Sequence, residues 1–179
     1  MEGEDRTLPA ALAAAHVERF CDDHDGHDFQ PYDEFMWSVE TLEWCRSWIG
    51  NPAVDAVPFR VFGQDGSGGL AAFWIRVADA EIETQPIVFL GSEGELHVVA
   101  KDLGDYLWLL ANGVGPLETV DGTNRTTTPI PALTAVAQRY TGELHRPTAT
   151  VIDAAQAELH ALTALVDKRR EHPNASPTR

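Results

Sequence analysis

The chain has 179 residues, of which 44% are hydrophobic and 23% charged, and its formal net charge is -15. That length fills one domain and leaves two cramped, and the composition is that of a globular protein. So negative a field disfavours nucleic acid and anionic lipid as partners, and no apolar run approaches the ~20 residues that cross a bilayer.

The charge is unevenly spread. Residues 1–50 carry 12 acidic and 3 basic residues, whereas residues 141–179 carry 5 of each. The acidic third attracts basic partners, although acidity also serves solubility. The opening MEGEDRTLPAALAAA is acidic where a secretory signal is basic, and its alanine run has no strongly apolar centre. This reads as a cytoplasmic protein. In that reducing setting Cys21 and Cys45 are expected as thiols, and the sequons at Asn124 and Asn174 carry no meaning.

In chain order, Thr7 and Pro9 look like a helix start, with Ala13, Val17, Phe20 and Cys21 on one face. The polar run from Asp22 to Gln30 ends that helix. Ligand-capable side chains are dense there. Cys21, His24 and His27, spaced by three, suit zinc in type, but no second cluster supplies a fourth ligand. As a calcium loop, Asp23, Asp25 and Gly26 fit positions three, five and six, but Cys21 and Tyr32 fall where carboxylates are needed. A solvated loop is the simpler expectation. The next helix is predicted over Ser38–Ile49, with Leu42, Cys45 and Ile49 in one stripe, Trp44 and Trp48 in another, and Gly50-Asn51-Pro52 as its stop.

Val57–Phe62 and Leu70–Val77 read as strands flanking the stretch GQDGSGG. Gly66, Gly68 and Ala71 match a dinucleotide-binding fingerprint, which requires a helix to begin inside the loop. Leu70-Ala71-Ala72-Phe73-Trp74-Ile75 instead favours a pleated strand, so the glycines are predicted to make a hairpin turn, with Asp65-Gly66 as the favoured pair at positive φ. The serine-elbow pattern fails too, because Asp65 stands where glycine is required. Ile87–Leu90 and Leu96–Ala100 form a second hairpin around Gly91-Ser92-Glu93-Gly94, with Glu93 and Glu95 bracketing the turn.

Asp102 caps a helix to Asn112, with Asp105 in the capping-box position and Leu103, Leu107 and Leu110 on the apolar face. After a loop over 114–128, Thr128-Pro129 opens a helix carrying Leu133, Ala137 and Tyr140, closed by Gly142. The last helix runs from about Thr150 to Arg170, with Val151, Ala155, Leu159, Leu162 and Val166 along one side; residues 172–179 are expected to be a flexible tail. The predicted fold is a single α+β domain over residues 1–171, an antiparallel meander of about four or more strands packed with helices. His16, His97, His145, His160 and His172 fall in no motif with a nucleophile, and no cofactor is expected. Trp37, Trp44, Trp48, Trp74 and Trp108 serve either as core filling or as interface anchors.

Three stretches together resemble the SUKH superfamily, and within it the bacterial Smi/Knr-like members: Phe62–Gly69, Ala71-Ala72-Phe73-Trp74, and Pro86–Glu95 with its GSEGE turn, followed by a helix like Asp102–Asn112. The likeness covers about Phe59 to Gly113, and Trp44–Asn51 resembles an upstream segment of actinobacterial members. The resemblance implies an α+β fold and a non-enzymatic role as an immunity protein that binds and neutralises a polymorphic toxin domain, often a nuclease or deaminase. It implies no shared catalytic set, and motif residues that hold the fold rather than touch the partner.

The expected function is therefore binding of a basic protein domain, with Asp22, Asp23, Asp25, Asp28, Asp65, Glu93 and Glu95 as candidate contacts. Two alternatives stay open: a regulatory scaffold with no toxin partner, and a metal-dependent enzyme built on Cys21, His24 and His27.

Overall fold

A computed structural model describes residues 3–18, 29–120, 127–142 and 145–171. The candidates Cys21, Asp22, Asp23, His24, Asp25, His27 and Asp28, and the tail 172–179, lie outside the described residues.

The strands are β1 (Gln30–Pro31), β2 (Phe59–Gln64), β3 (Leu70–Trp74), β4 (Ile87–Leu90) and β5 (Leu96–Ala100), hydrogen-bonded in that order as one antiparallel sheet. Four were predicted. The fifth, β1, has two residues and contains a proline, so it carries no periodic signal, and it sits at the sheet edge where a missing N–H is tolerated. The helices are α1 (Ala10–Val17), α2 (Ser38–Ile49), α3 (Leu103–Ala111), α4 (Pro131–Thr141) and α5 (Thr148–Glu171).

Both faces of the sheet are covered. Phe62, Ala71, Phe73, Ile87, Phe89 and Val99 share a core with residues of α1, α3 and α4. Val61, Leu70, Ala72, Trp74, Val88, Leu90 and Val98 share the other with residues of α2 and α5. Every residue of β3 and β4 is buried, which is why they read as unbroken apolar runs instead of alternating. Two register shifts, at Val61/Gly63 and Ile87/Val88, add a residue to β2 and β5. The first puts Gly63 against Phe29, whose ring occupies the place of a Cβ.

Local chemistry explains the helix ends. Gly50 is left-handed (φ 75°), and its N–H donates to the Arg46 and Ser47 carbonyls. Asp102 Oδ1 accepts from the Asp105 N–H at 2.8 Å, as the capping pattern predicts. The Asp105 carboxylate, however, is buried and ion-pairs with Arg146 from the segment before α5, so it serves tertiary structure. α4 starts at Pro131, two residues later than predicted, because a residue before proline is pushed out of the helical region and Ile130 is extended.

The spacing misleads for the face of α1 and for one residue of α4, whose Leu133 and Ala137 are buried as expected. Val17 is 79% exposed, because α1 buries Ala11, Leu12 and Ala15 instead; Tyr140 is 40% exposed, because Leu133 and Ala137 are the residues of α4 that meet the core. Among the described residues, no helix is long and apolar enough to cross a membrane.

Candidate protein-docking face

The β2–β3 and β4–β5 turns emerge at the same end of the meander. In the first, Asp65 N–H donates to Gly69 O at 2.9 Å and Gly68 N–H to Asp65 O at 3.2 Å. The Asp65 side chain is buried and organises the loop from inside. Its Oδ1 accepts from the backbone N–H of Ser67 (2.9 Å) and Gly69 (2.8 Å) and from Ser67 Oγ (2.8 Å). The positive φ is at Gly68 (90°) and not at Gly66, so the loop is built around the aspartate side chain and not as an Asp-Gly two-residue turn. At Gly69 a Cβ would lie 2.7 Å from the Phe89 ring and 3.0 Å from Asp65 Oδ2. Strand β3 begins at Leu70, so no helix N-terminus faces these amides and the nucleotide-loop geometry is not formed.

The second turn closes with Gly91 N–H donating to Glu95 O at 2.8 Å and Gly94 N–H to Gly91 O at 3.0 Å, Gly94 being left-handed (φ 100°). Glu95 Oε2 accepts from the Glu93 N–H at 3.2 Å, and both side chains are exposed. The two turns meet through Ser67 Oγ and Ser92 Oγ, 3.0 Å apart. Thus Glu93 and Glu95 stand at the surface beside the Asp65 loop, whereas Asp65 itself points inward.

Helix α2 completes this end. Trp44 and Trp48 are one turn apart and half-buried, with rings stacked at 5.8 Å and 18°. Trp48 Nε1 donates to Gly91 O at 2.7 Å, which fastens the helix to the second turn. The sequence placed the two tryptophans on one stripe; that the stripe meets the GSEGE turn is a tertiary fact. Beside the segment that follows β1 lies an open groove of about 680 Å³, lined by Arg6, Tyr32, Glu34, Met36 and Glu40 among others. Arg6 pairs with Glu34 at 2.9 Å and covers the Trp37 ring at 4.2 Å, and Tyr32 Oη donates to Gln64 at 2.7 Å.

Burial shifts several titratable groups elsewhere toward their neutral forms. Burial lowers the pKa of His16, whose Nδ1 lies 2.9 Å from Tyr32 O, and does the same at half-buried His97. Burial pushes the Cys45 thiol up to about 12, and raises the Tyr106 hydroxyl, with Glu118 adding to it. His145 Nε2 lies 2.8 Å from Asn112 Oδ1, and its ring meets Trp108 edge-on. Among the described residues no three His, Cys, Asp or Glu side chains are placed to hold a metal ion.

Comparison of the chain with family models, with curated proteins and with solved structures returns no match.

Proposed function

We propose that this chain is a SUKH-like binding protein that neutralises a basic toxin domain by covering it. The observation that carries the reading is the pair of mutually docked turns, on which Glu93 and Glu95 are exposed in a chain with net charge -15. Carboxylates exposed in this way steer a cationic surface into contact and speed its association. Against a nuclease they would also stand where substrate phosphates otherwise lie. The DGSGG and GSEGE motifs support this reading, since Asp65, Ser67 and Gly69 organise the first turn and Gly91, Gly94 and Glu95 the second.

The test is reconstitution with the toxin domain encoded beside this gene. An equimolar complex that abolishes toxicity is expected, with an association rate that falls steeply as salt is added. A purified chain that carries stoichiometric zinc, or that ignores the neighbouring toxin and instead holds a housekeeping protein, overturns the reading in favour of the metal enzyme or the scaffold.

A further inference from the structure

The stacked pair Trp44–Trp48 is the one place where half-exposed aromatic rings adjoin the exposed carboxylates of the turns among the described residues. Glu40 stands one helical turn before Trp44 on the same face, and Glu43 lies about 100° round the helix from Trp44, toward solvent; both are exposed. At the other end the Trp48–Gly91 hydrogen bond brings in Glu93 and Glu95, with the Glu95 carboxyl seated over Gly91. From Glu40 to Trp48 the helix rises roughly 12 Å at about 1.5 Å per residue. None of the four glutamates forms an ion pair with a described residue. The indole N–H of Trp44 donates to no described residue either, whereas that of Trp48 is used internally.

From this juxtaposition we infer that the flank of α2 beside the second turn is the docking surface, with the half-buried tryptophan pair at its centre and Glu40, Glu43, Glu93 and Glu95 around it. The occupant is an arginine- or lysine-bearing segment of the partner protein. A guanidinium is attracted to the face of an indole and to carboxylates within reach of it, so rings and acids select the same chemistry. The arrangement of a few aromatic anchors inside a polar rim is that of a binding hot spot. An anionic or neutral apolar partner would leave four surface charges uncompensated at the contact. This inference deepens the proposed function and rests on it for the identity of the partner, but not for the chemistry of the surface.

Nona-arginine peptide is the probe, with nona-glutamate as control. Expected are saturable quenching of tryptophan fluorescence and amide shifts confined to α2 and residues 91–95. Trp44→Ala should weaken binding by about 30-fold or more, the scale of a hot-spot truncation. Glu40→Gln/Glu43→Gln/Glu93→Gln, three exposed changes that leave packing alone, should flatten the salt dependence and slow association about tenfold or more. No binding, or shifts centred away from α2, overturns the inference. The toxin separates the two claims. If both variants neutralise it as well as the wild type does, the docking face falls and the function stands. If the wild type neutralises no toxin while the peptide binds as described, the function falls and the docking face stands.

Discussion

Replacing Asp65 by alanine tests whether the first turn is held by one buried side chain. The substitution removes the acceptor for two backbone N–H groups and one hydroxyl. Gly69 is buried, so its N–H is left without water and loses roughly 1–3 kcal/mol. Ser67 is exposed, and its amide and hydroxyl rehydrate at roughly 1 kcal/mol together. Part of this is offset because the carboxylate, whose Oδ2 accepts no hydrogen bond, is no longer desolvated. The net expectation is a loss of about 2–3 kcal/mol, or roughly 5–10 °C in Tm for a chain of this size. Asp65→Asn keeps an acceptor at Oδ1 but turns an amide NH₂ toward Phe89 and Gly69, so it should lose only about 1 kcal/mol. Urea titration is the assay, and the midpoint should shift with an unchanged m-value. A loss below about 0.5 kcal/mol for alanine, the range of ordinary surface changes, would refute the account. Equal losses for alanine and asparagine would show that the charge, and not the acceptor geometry, holds the loop.

Gly63→Ala sets a Cβ against the Phe29 ring and 3.0 Å from the Gln30 carbonyl, so it should destabilise the fold by about 1–3 kcal/mol and speed amide exchange at β1, read by urea titration and hydrogen exchange. Cys45, raised to about 12, should resist thiol reagents in the folded state of a Cys21→Ser variant and react on unfolding; fast native labelling would contradict its burial. Because the unfolded thiol ionises near 9.0 and the folded one does not, Cys45 should make stability fall as pH rises from about 9 toward 12, a slope that Cys45→Ala removes. His16 has the opposite sign: its folded pKa lies below 6.5, so its contribution is complete above 6.5 and is lost as pH falls through the folded value. In urea titrations across that window His16→Gln should flatten the decline, and an unchanged slope would assign it to other groups, half-buried His97 first among them.

The stability predictions converge on function through the turns. Asp65 positions Ser67, Ser67 meets Ser92, and Gly91 accepts from Trp48. Loosening the first turn is therefore expected to blur the surface formed by the second turn and α2 even in a chain that still folds.

Much of the architecture is written in short-range chemistry. The C-terminal limit of α2 follows from Gly50-Asn51-Pro52, α3 follows from the Asp102 cap, and the two hairpins follow from glycine turns between β-branched and aromatic runs. Such features depend only on residues a few positions apart, so the sequence alone determines them, together with the net charge of -15. Tertiary structure decided what lies far apart in the chain. It turned Asp65 inward and left Glu93 and Glu95 at the surface, although all three are acids at a turn, because Asp65 meets the buried Gly69 amide whereas Glu95 accepts from the exposed Glu93 N–H. It sent the Asp105 carboxylate to Arg146, 41 residues away, instead of back to its own cap. It exposed Val17 and Tyr140, whose spacing fits an apolar face, because helix propensity does not say which side meets the sheet. And it set Trp48 on Gly91 across 43 residues, a contact that exists only because both faces of one sheet are covered and α2 packs over the same end from which the turns emerge.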